Sequence, residues 1–236
     1  MEYNITEFYL TPIQAAMMLE DKVKNYHIIA TVLHFLELGL IELTKICRKD
    51  GTFAYRFEKK EKEFCDYYSF SNRVLSTEQK EKLKNNKISV SEIYIIDRIV
   101  FKYYNHVNAD RIYEFYDSYD DYSKLYNNTR GINELKELDF DLRNVEKIIK
   151  EEFKEKGIHK AKRKNLFNFK TSKLFFKKSV EVTDYKNKLK YDTYLSERSI
   201  ENVYLWGEHL IYGVAFNVCK TSIKDAISIY EGKRKK

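Results

Sequence analysis

The histidines of this sequence are candidates for binding a metal ion or acting as a base. His27 and His34 are seven positions apart, a spacing that places them close to one face of a single helix. A metal site needs more ligands, and no further Cys, His or acid stands in evident pairing with them. His209 lies beside Glu208, but adjacent helical residues do not face each other. All three are interpreted as packing or surface histidines.

The cysteines and the clustered acids indicate no specific chemistry either. Cys47, Cys65 and Cys219 are far apart, which predicts free thiols in a reducing compartment. The acidic segment 116–122, YDSYDDY, lacks the spacing and the glycine of a calcium loop. No phosphate-binding loop, nucleophile elbow, zinc-protease motif or dinucleotide fingerprint occurs. The sequence therefore predicts a non-enzymatic protein with no catalytic, cofactor-binding or metal-binding residues.

The most distinctive chemical feature of the sequence is a basic stretch late in the chain. Residues 154–178 contain ten Lys or Arg and one acid, a local charge of +9, whereas the whole chain is +7. Three interpretations stay open: a solvated linker, a nucleic-acid patch with interleaved phenylalanines, or a segment beside the cytoplasmic face of a membrane. The candidate residues for binding an anionic surface are Lys160, Lys162, Arg163, Lys164, Lys170, Lys173, Lys177 and Lys178.

Composition indicates a folded, largely helical protein. The 236 residues are 43% hydrophobic, with one Pro and seven Gly, which favours long helices over a turn-rich sandwich. The longest uncharged runs, 25–36 and 209–219, are too short to span a bilayer, so we expect buried core helices there. The opening residues lack the pattern of a secretory signal.

The N-terminal quarter has the pattern of a winged helix. Thr11 and Pro12 are typical of a helix start, and a second helix follows with Asn25 as its expected cap and Gly39 at its end. Residues 40–46 and 53–60 then alternate as two strands joined by a turn at Asp50 and Gly51.

The remainder is predicted to be helical around a connector. Ser76 and Gln79 form a capping-box pattern, residues 89–104 have helical periodicity, and 132–158 are strongly amphipathic up to Gly157. We predict four regions: a winged-helix domain at 1–62, a helical region at 63–158 that can pack on it, a basic connector at 159–179, and C-terminal helices with a basic tail at 180–236.

A winged helix often reads DNA by inserting a helix in the major groove. The candidate helix, residues 25–38, contains no Lys or Arg, although duplex affinity depends on neutralised phosphates. The residues expected to face outward are Tyr26, His27, Thr31, His34 and Glu37. The sequence therefore favours a winged helix used for packing, with nucleic-acid binding as the alternative.

The order of these motifs resembles a family of predicted membrane proteins, Domain of Unknown Function 2207. In that family a Leu-Ser-Pro opening with Ala and Gly precedes an Ala-Thr-hydrophobic helix and a Gly before the first wing strand. The matching residues here are Leu10, Thr11, Pro12, Ala15, Ala16, Ala30, Thr31, Val32, Leu33 and Gly39. Later blocks are similar at 132–158, at Tyr194 and Leu195, and from Tyr212 to Val218.

Several positions depart from the family pattern. Gly213 replaces the usual Ala, Asn217 replaces Gly, and Lys190 with Tyr191 replaces Gly-Phe. The resemblance covers the family's cytoplasmic segments, and the basic connector stands where the family has a membrane hairpin. The resemblance implies a location at the cytoplasmic face of a membrane, and it implies no reaction.

We therefore predict a mainly α (α+β) protein with an N-terminal winged helix-turn-helix, a two-stranded β wing and a following helical region. Its predicted role is that of a cytoplasmic interaction module at a membrane, for protein–protein docking or signal relay. The expected partners are a protein and an anionic membrane surface, and the alternative is nucleic acid.

Overall fold

The computed structural model describes residues 10–47, 49, 53–60, 76–104, 129–158, 173–196 and 207–218. Within these ranges the protein is mainly helical with one small antiparallel sheet, as the composition predicts. The helices and strands, in chain order, are α1 (Pro12–Leu19), α2 (Asn25–Glu37), β1 (Ile41–Cys47), β2 (Phe53–Lys59), α3 (Thr77–Asn85), α4 (Val90–Tyr94), a π-helix (Ile95–Tyr104), α5 (Thr129–Glu155), α6 (Lys173–Ser196) and α7 (Gly207–Ala215).

The predicted helix starts are largely confirmed. Pro12 opens α1 after Thr11, and Ser76 and Gln79 make both hydrogen bonds of the capping box at α3. The predicted cap of α2 is wrong by one residue. Helix α2 begins at Asn25, so Lys24 is its cap, and the Lys24 backbone N–H donates to Nδ1 of His27 at 3.0 Å.

Two glycines end helices where the sequence predicts it. Gly39 has φ +69° and Gly157 has φ +70°, the left-handed conformation that glycine adopts without strain. After Gly39, the Leu40 N–H donates back to Phe35 O at 2.9 Å, which satisfies a carbonyl at the end of α2. The chain then turns directly into β1.

Strands β1 and β2 form the predicted hairpin within one residue of the expected bounds. Their register pairs Ile41 with Lys59 and Cys47 with Phe53. The turn predicted at Asp50 and Gly51 lies outside the described residues.

The segment 89–104 differs from the single α-helix predicted there. It starts as α4 at Val90 and widens to π-type hydrogen bonding from Ile95 to Tyr104. The wider turn still buries Ile95, Ile96 and Ile99, so the segment has a continuous apolar side.

One hydrophobic core includes side chains from all the described helices. Helix α2 lies at its centre and packs against α1, α7 and the π-helix. Helix α1 also packs on α6 and α7, and α5 packs on α4 and the π-helix. The hydroxyl of Tyr212 on α7 donates to Leu10 O at 2.6 Å, which ties the late helix to the residues before α1.

Candidate functional site

A polar cluster lies where α1, α2, α4 and α5 meet, and its members are buried except Glu152, which is half-buried, and Lys156, which is exposed. It joins residues that are far apart in sequence and that no motif search connects. We call it the polar core cluster, and its members are Thr11, Gln14, His34, Ser89, Ser91, Glu92, Glu152 and Lys156.

The start of α4 supplies the centre of the polar core cluster. Ser89 caps this helix, and its N–H donates to Oε2 of Glu92 at 3.1 Å, while the Glu92 N–H donates to Ser89 Oγ at 3.3 Å. This reciprocal pair is a capping box. Glu92 is fully buried, so the motif that starts the helix also places a carboxyl group in the core.

The second oxygen of Glu92 contacts α2. Nδ1 of His34 lies 2.9 Å from Glu92 Oε1, and both side chains are buried. The outward face predicted for α2 is therefore wrong at His27, Thr31 and His34, which are at most 4% exposed. Helix α2 packs against α1, α7 and the π-helix, and the sequence pattern assigns none of these partners.

Glu152 on α5 is the second carboxyl group of the polar core cluster. It accepts from the Ser91 N–H at 3.2 Å, the Ser91 hydroxyl at 2.8 Å and the Gln14 amide at 2.9 Å. Burial of the carboxyl raises its pKa above 4.5, although these three donors and the charge of Lys156 oppose the shift. The proton is therefore held more tightly in the fold than on an ordinary Glu.

Lys156 lies one turn after Glu152 at the outer edge of the cluster. Its Nζ donates to Gln14 Oε1 at 2.7 Å, and Gln14 is itself only 1% exposed. Burial of the ammonium group lowers the pKa of Lys156, while the charges of Glu152 and Glu92 oppose that shift. Gln14 thus connects the cation to the carboxyl through one amide.

The chemistry available to this cluster is proton transfer between its hydrogen-bonded carboxyl, hydroxyl and imidazole groups. Glu92 contacts both Ser89 and His34, so the carboxyl lies between the hydroxyl and the imidazole. A serine nucleophile instead needs the imidazole on its own hydroxyl. The order of contacts here is therefore different from that of a Ser-His-acid triad.

A second buried histidine lies at the start of α2. The ring of His27 is enclosed, and its Nε2 has no hydrogen-bond partner among the described residues. Oε2 of Glu20 lies 3.9 Å from this nitrogen and is also bound by the Tyr26 hydroxyl and by Lys24. Burial lowers the pKa of His27 to about 4, so the ring is neutral at pH 7.

The basic candidates are only partly within the described chain. Lys160, Lys162, Arg163, Lys164 and Lys170 lie outside the described residues, and so does the side chain of Lys173.

Lys177 is well exposed on α6, and its Nζ lies 3.9 Å from Oε1 of Glu181. Lys178 is 7% exposed, and its Nζ is 2.5 Å from Glu181, so it does not present a free cation. Residues 173–179, predicted as connector, form the first turns of α6.

The described part of the chain contains no group of three or more His, Cys, Asp or Glu side chains placed to hold a metal ion. Among the helices described, none is both long enough and apolar enough to cross a bilayer.

Comparisons with known proteins add no relative to this description. The sequence matches no family model, no curated protein and no solved structure. The resemblance to Domain of Unknown Function 2207 stays a prediction.

Sequence reasoning missed the polar core cluster, although one local signal was present. Ser89 and Glu92 have the S-x-x-E spacing of a capping box, the same kind of pattern recognised at Ser76 and Gln79. That signal predicts the pairing of Ser89 with Glu92. The contacts with His34 and Glu152 depend on helix packing and have no local signature.

Proposed function

We propose that this protein is a non-enzymatic interaction module that works at the cytoplasmic face of a membrane, where it docks proteins or relays a signal. The proposed architecture is an N-terminal winged helix used for packing. Its support is the order of two helices followed by an antiparallel hairpin within residues 12–59. Helices that follow pack on α1 and α2 of this unit.

The burial of α2 favours docking over DNA recognition as the proposed function. A helix that enters the major groove needs a solvent-exposed face with donors for bases and phosphates. In α2, His27, Thr31 and His34 are buried, and the helix contains no Lys or Arg.

Two lysines at the end of the β hairpin are also paired with acids. Lys59 is 3.1 Å from Asp97, and Lys60 is 3.2 Å from Glu42. Nucleic-acid binding through this helix and these lysines therefore has little support from the described contacts.

The local charge supports the membrane location. The excess of +9 in residues 154–178 exceeds the charge of the whole chain, so the rest of the protein is slightly acidic. Basic residues near an anionic leaflet each contribute about 1 kcal/mol of attraction, which salt screens. Lys177 of this stretch is exposed on α6, where it also lies 3.9 Å from Glu181.

One departure from the family pattern has a physical explanation that supports the resemblance. Asn217 stands where Domain of Unknown Function 2207 has Gly, and it adopts φ +53° at the end of α7. Asn tolerates the left-handed conformation better than most residues with a side chain. The replacement therefore preserves the backbone that a glycine would allow.

Flotation with lipid vesicles tests the proposal. The purified chain is mixed with phosphatidylcholine vesicles that contain or lack phosphatidylserine. The test variant changes seven basic residues to Gln: Lys160, Lys162, Arg163, Lys164, Lys170, Lys173 and Lys177. Lys178 stays unchanged because its loss would leave Glu181 without its buried partner.

The matched control removes the same charge elsewhere. It changes seven exposed lysines to Gln: Lys22, Lys49, Lys84, Lys136, Lys147, Lys150 and Lys188. We expect binding to anionic vesicles that falls with salt, weakens more than tenfold in the test variant and is largely retained in the control. Equal loss in both variants, or no binding by the parent chain, would contradict the membrane location.

A further inference from the structure

A chain of three oxygen–oxygen contacts connects the two carboxyl groups of the polar core cluster. Glu92 Oε2 is 3.1 Å from Ser89 Oγ, which is 3.0 Å from Ser91 Oγ, which is 2.8 Å from Glu152 Oε2. All three distances are within the range of O–H···O hydrogen bonds or just beyond it. For each of these contacts to be a hydrogen bond, one proton must lie between its two oxygens.

The side chains cannot supply enough protons if both carboxyl groups are ionised. Each serine hydroxyl carries one proton, and an ionised carboxylate only accepts. Two protons would then serve three contacts, so one pair of oxygens would face each other with lone pairs alone. The Thr11 hydroxyl, 3.3 Å from Ser89 Oγ, leaves this shortage unchanged because its own proton serves its own contact.

We propose that Glu92 and Glu152 share one proton at neutral pH through Ser89 and Ser91. With the proton on Glu152, that carboxyl donates to Ser91, Ser91 to Ser89, and Ser89 to Glu92. With the proton on Glu92, every hydrogen bond of the chain reverses. Either arrangement satisfies all three contacts with one extra proton and leaves one negative charge on the pair.

Basic side chains lie at both ends of the pair. His34 on α2 contacts the other oxygen of Glu92, and Lys156 on α5 lies at the opposite end, joined to Glu152 through Gln14 of α1. Lys84 on α3 is a second cation close enough to act on Lys156. Two carboxylate charges in the cluster would carry a larger desolvation penalty than one, because Glu92 is fully buried.

The shared proton forms a pH-sensitive connection within the fold. It completes the hydrogen bonds that join the N-terminus of α4 to α5, and Thr11 extends them to the start of α1. Loss of the proton at alkaline pH leaves one contact without a hydrogen. The packing of α4 against α5 and α1 should then be less stable.

Infrared difference spectroscopy tests the shared proton, because a protonated carboxyl absorbs separately from a carboxylate. The folded chain is labelled with ¹³C-glutamate, so that the isotope shift assigns the band to Glu. We expect one protonated Glu per chain at pH 7. The band should disappear in Glu152→Gln and persist in Glu151→Gln, an exposed neighbour on the same helix.

Ser91→Ala tests the sharing itself. Without the hydroxyl, the remaining partners of Glu152, the backbone N–H of residue 91 and the Gln14 amide, are donors only, and donors favour the ionised form. We expect the carboxyl band to titrate at lower pH in this variant, with circular dichroism confirming that it is folded. No protonated Glu in the parent chain at pH 7, or an unchanged titration in Ser91→Ala, would overturn the inference.

Discussion

At the scale of single residues, His27 shows how a helix cap can create a titrating group in the core. Its Nδ1 accepts the Lys24 N–H, which leaves the proton of the neutral ring on the enclosed Nε2. Burial lowers the pKa of His27, the charge of Glu20 raises it, and the charges of Lys24 and Lys186 lower it further. The native ring binds a proton less readily than the same ring in the unfolded chain.

This pKa difference predicts a loss of stability in acid. The native pKa is about 4 and the ordinary value is 6.5. Above pH 6.5 the stability is fully present, and it falls as the pH decreases through 4 because the unfolded chain takes up the proton. The loss by pH 4 is about 3 kcal/mol in the free energy of unfolding.

His27→Gln tests this loss. The Gln oxygen can still accept the Lys24 N–H, as in an ordinary capping box, and Gln does not titrate. Urea unfolding at pH 7 and pH 4 should show a smaller acid loss than in the parent chain, by about 3 kcal/mol. Equal acid losses in the parent and in His27→Gln would contradict the assignment.

At the scale of elements, the two long uncharged runs of the sequence correspond to α2 and α7. Both were predicted to be buried core helices, and the structure confirms it. They also pack against each other, which the sequence alone does not show. Phe35 of α2 is 1% exposed, and Leu210 and Ile211 of α7 are at most 4% exposed.

The burial of α2 predicts a large effect of truncating one of its core side chains. Phe35→Ala should lower the free energy of unfolding by about 3 to 5 kcal/mol, since a buried Phe leaves both lost transfer energy and a cavity. Phe140→Ala is the matched control, because Phe140 on α5 is 64% exposed, and it should change stability by less than about 0.5 kcal/mol. Urea unfolding monitored by circular dichroism measures both. Similar effects of the two changes would show that α2 is not central to the core.

The contact between α4 and α5 has a pH dependence of the opposite sign to that of His27. The native pKa of Glu152 is raised above 4.5, so its contribution to stability is fully present below pH 4.5 and is lost as the pH rises through the native value. The parent chain should therefore lose stability relative to Glu152→Gln as the pH rises above 4.5. Thermal unfolding across this range measures the difference, and parallel profiles for the two proteins would refute it.

At the scale of the whole molecule, the described helices share one core although the sequence was divided into four regions. The early helices α1 and α2 contact the late helices α6 and α7 directly. Phe216, which follows α7, is 2% exposed and packs edge-on against Tyr185 of α6. These contacts predict that early and late segments unfold together.

Hydrogen exchange in Phe216→Ala tests this joint unfolding. The change should destabilise the protein by about 3 to 5 kcal/mol, because a buried aromatic side chain is removed. The most protected amides of α1, α2 and α5 should then lose protection by the same free energy. A loss confined to α6 and α7 would show that the predicted regions unfold independently.

The local features of this protein were readable from the sequence. The cap residues Thr11 and Ser76, the glycines Gly39 and Gly157 and the two uncharged runs all depend on neighbours within a few positions, so their patterns predict helix bounds and burial. The excess of positive charge in residues 154–178 is likewise a property of the sequence alone.

Only the tertiary structure decided which helices enclose α2 and which side chains meet in the polar core cluster. Periodicity shows that a helix has an apolar side, but the identity of its partner is a long-range property. The Ser91–Glu152 contact spans 61 positions and the Gln14–Glu152 contact spans 138. Such contacts form because packing brings the helices together and buried polar groups must then find partners among whatever side chains are near. His34 looked like a surface residue for the same reason: α4, which supplies its partner Glu92, lies 58 positions later in the chain.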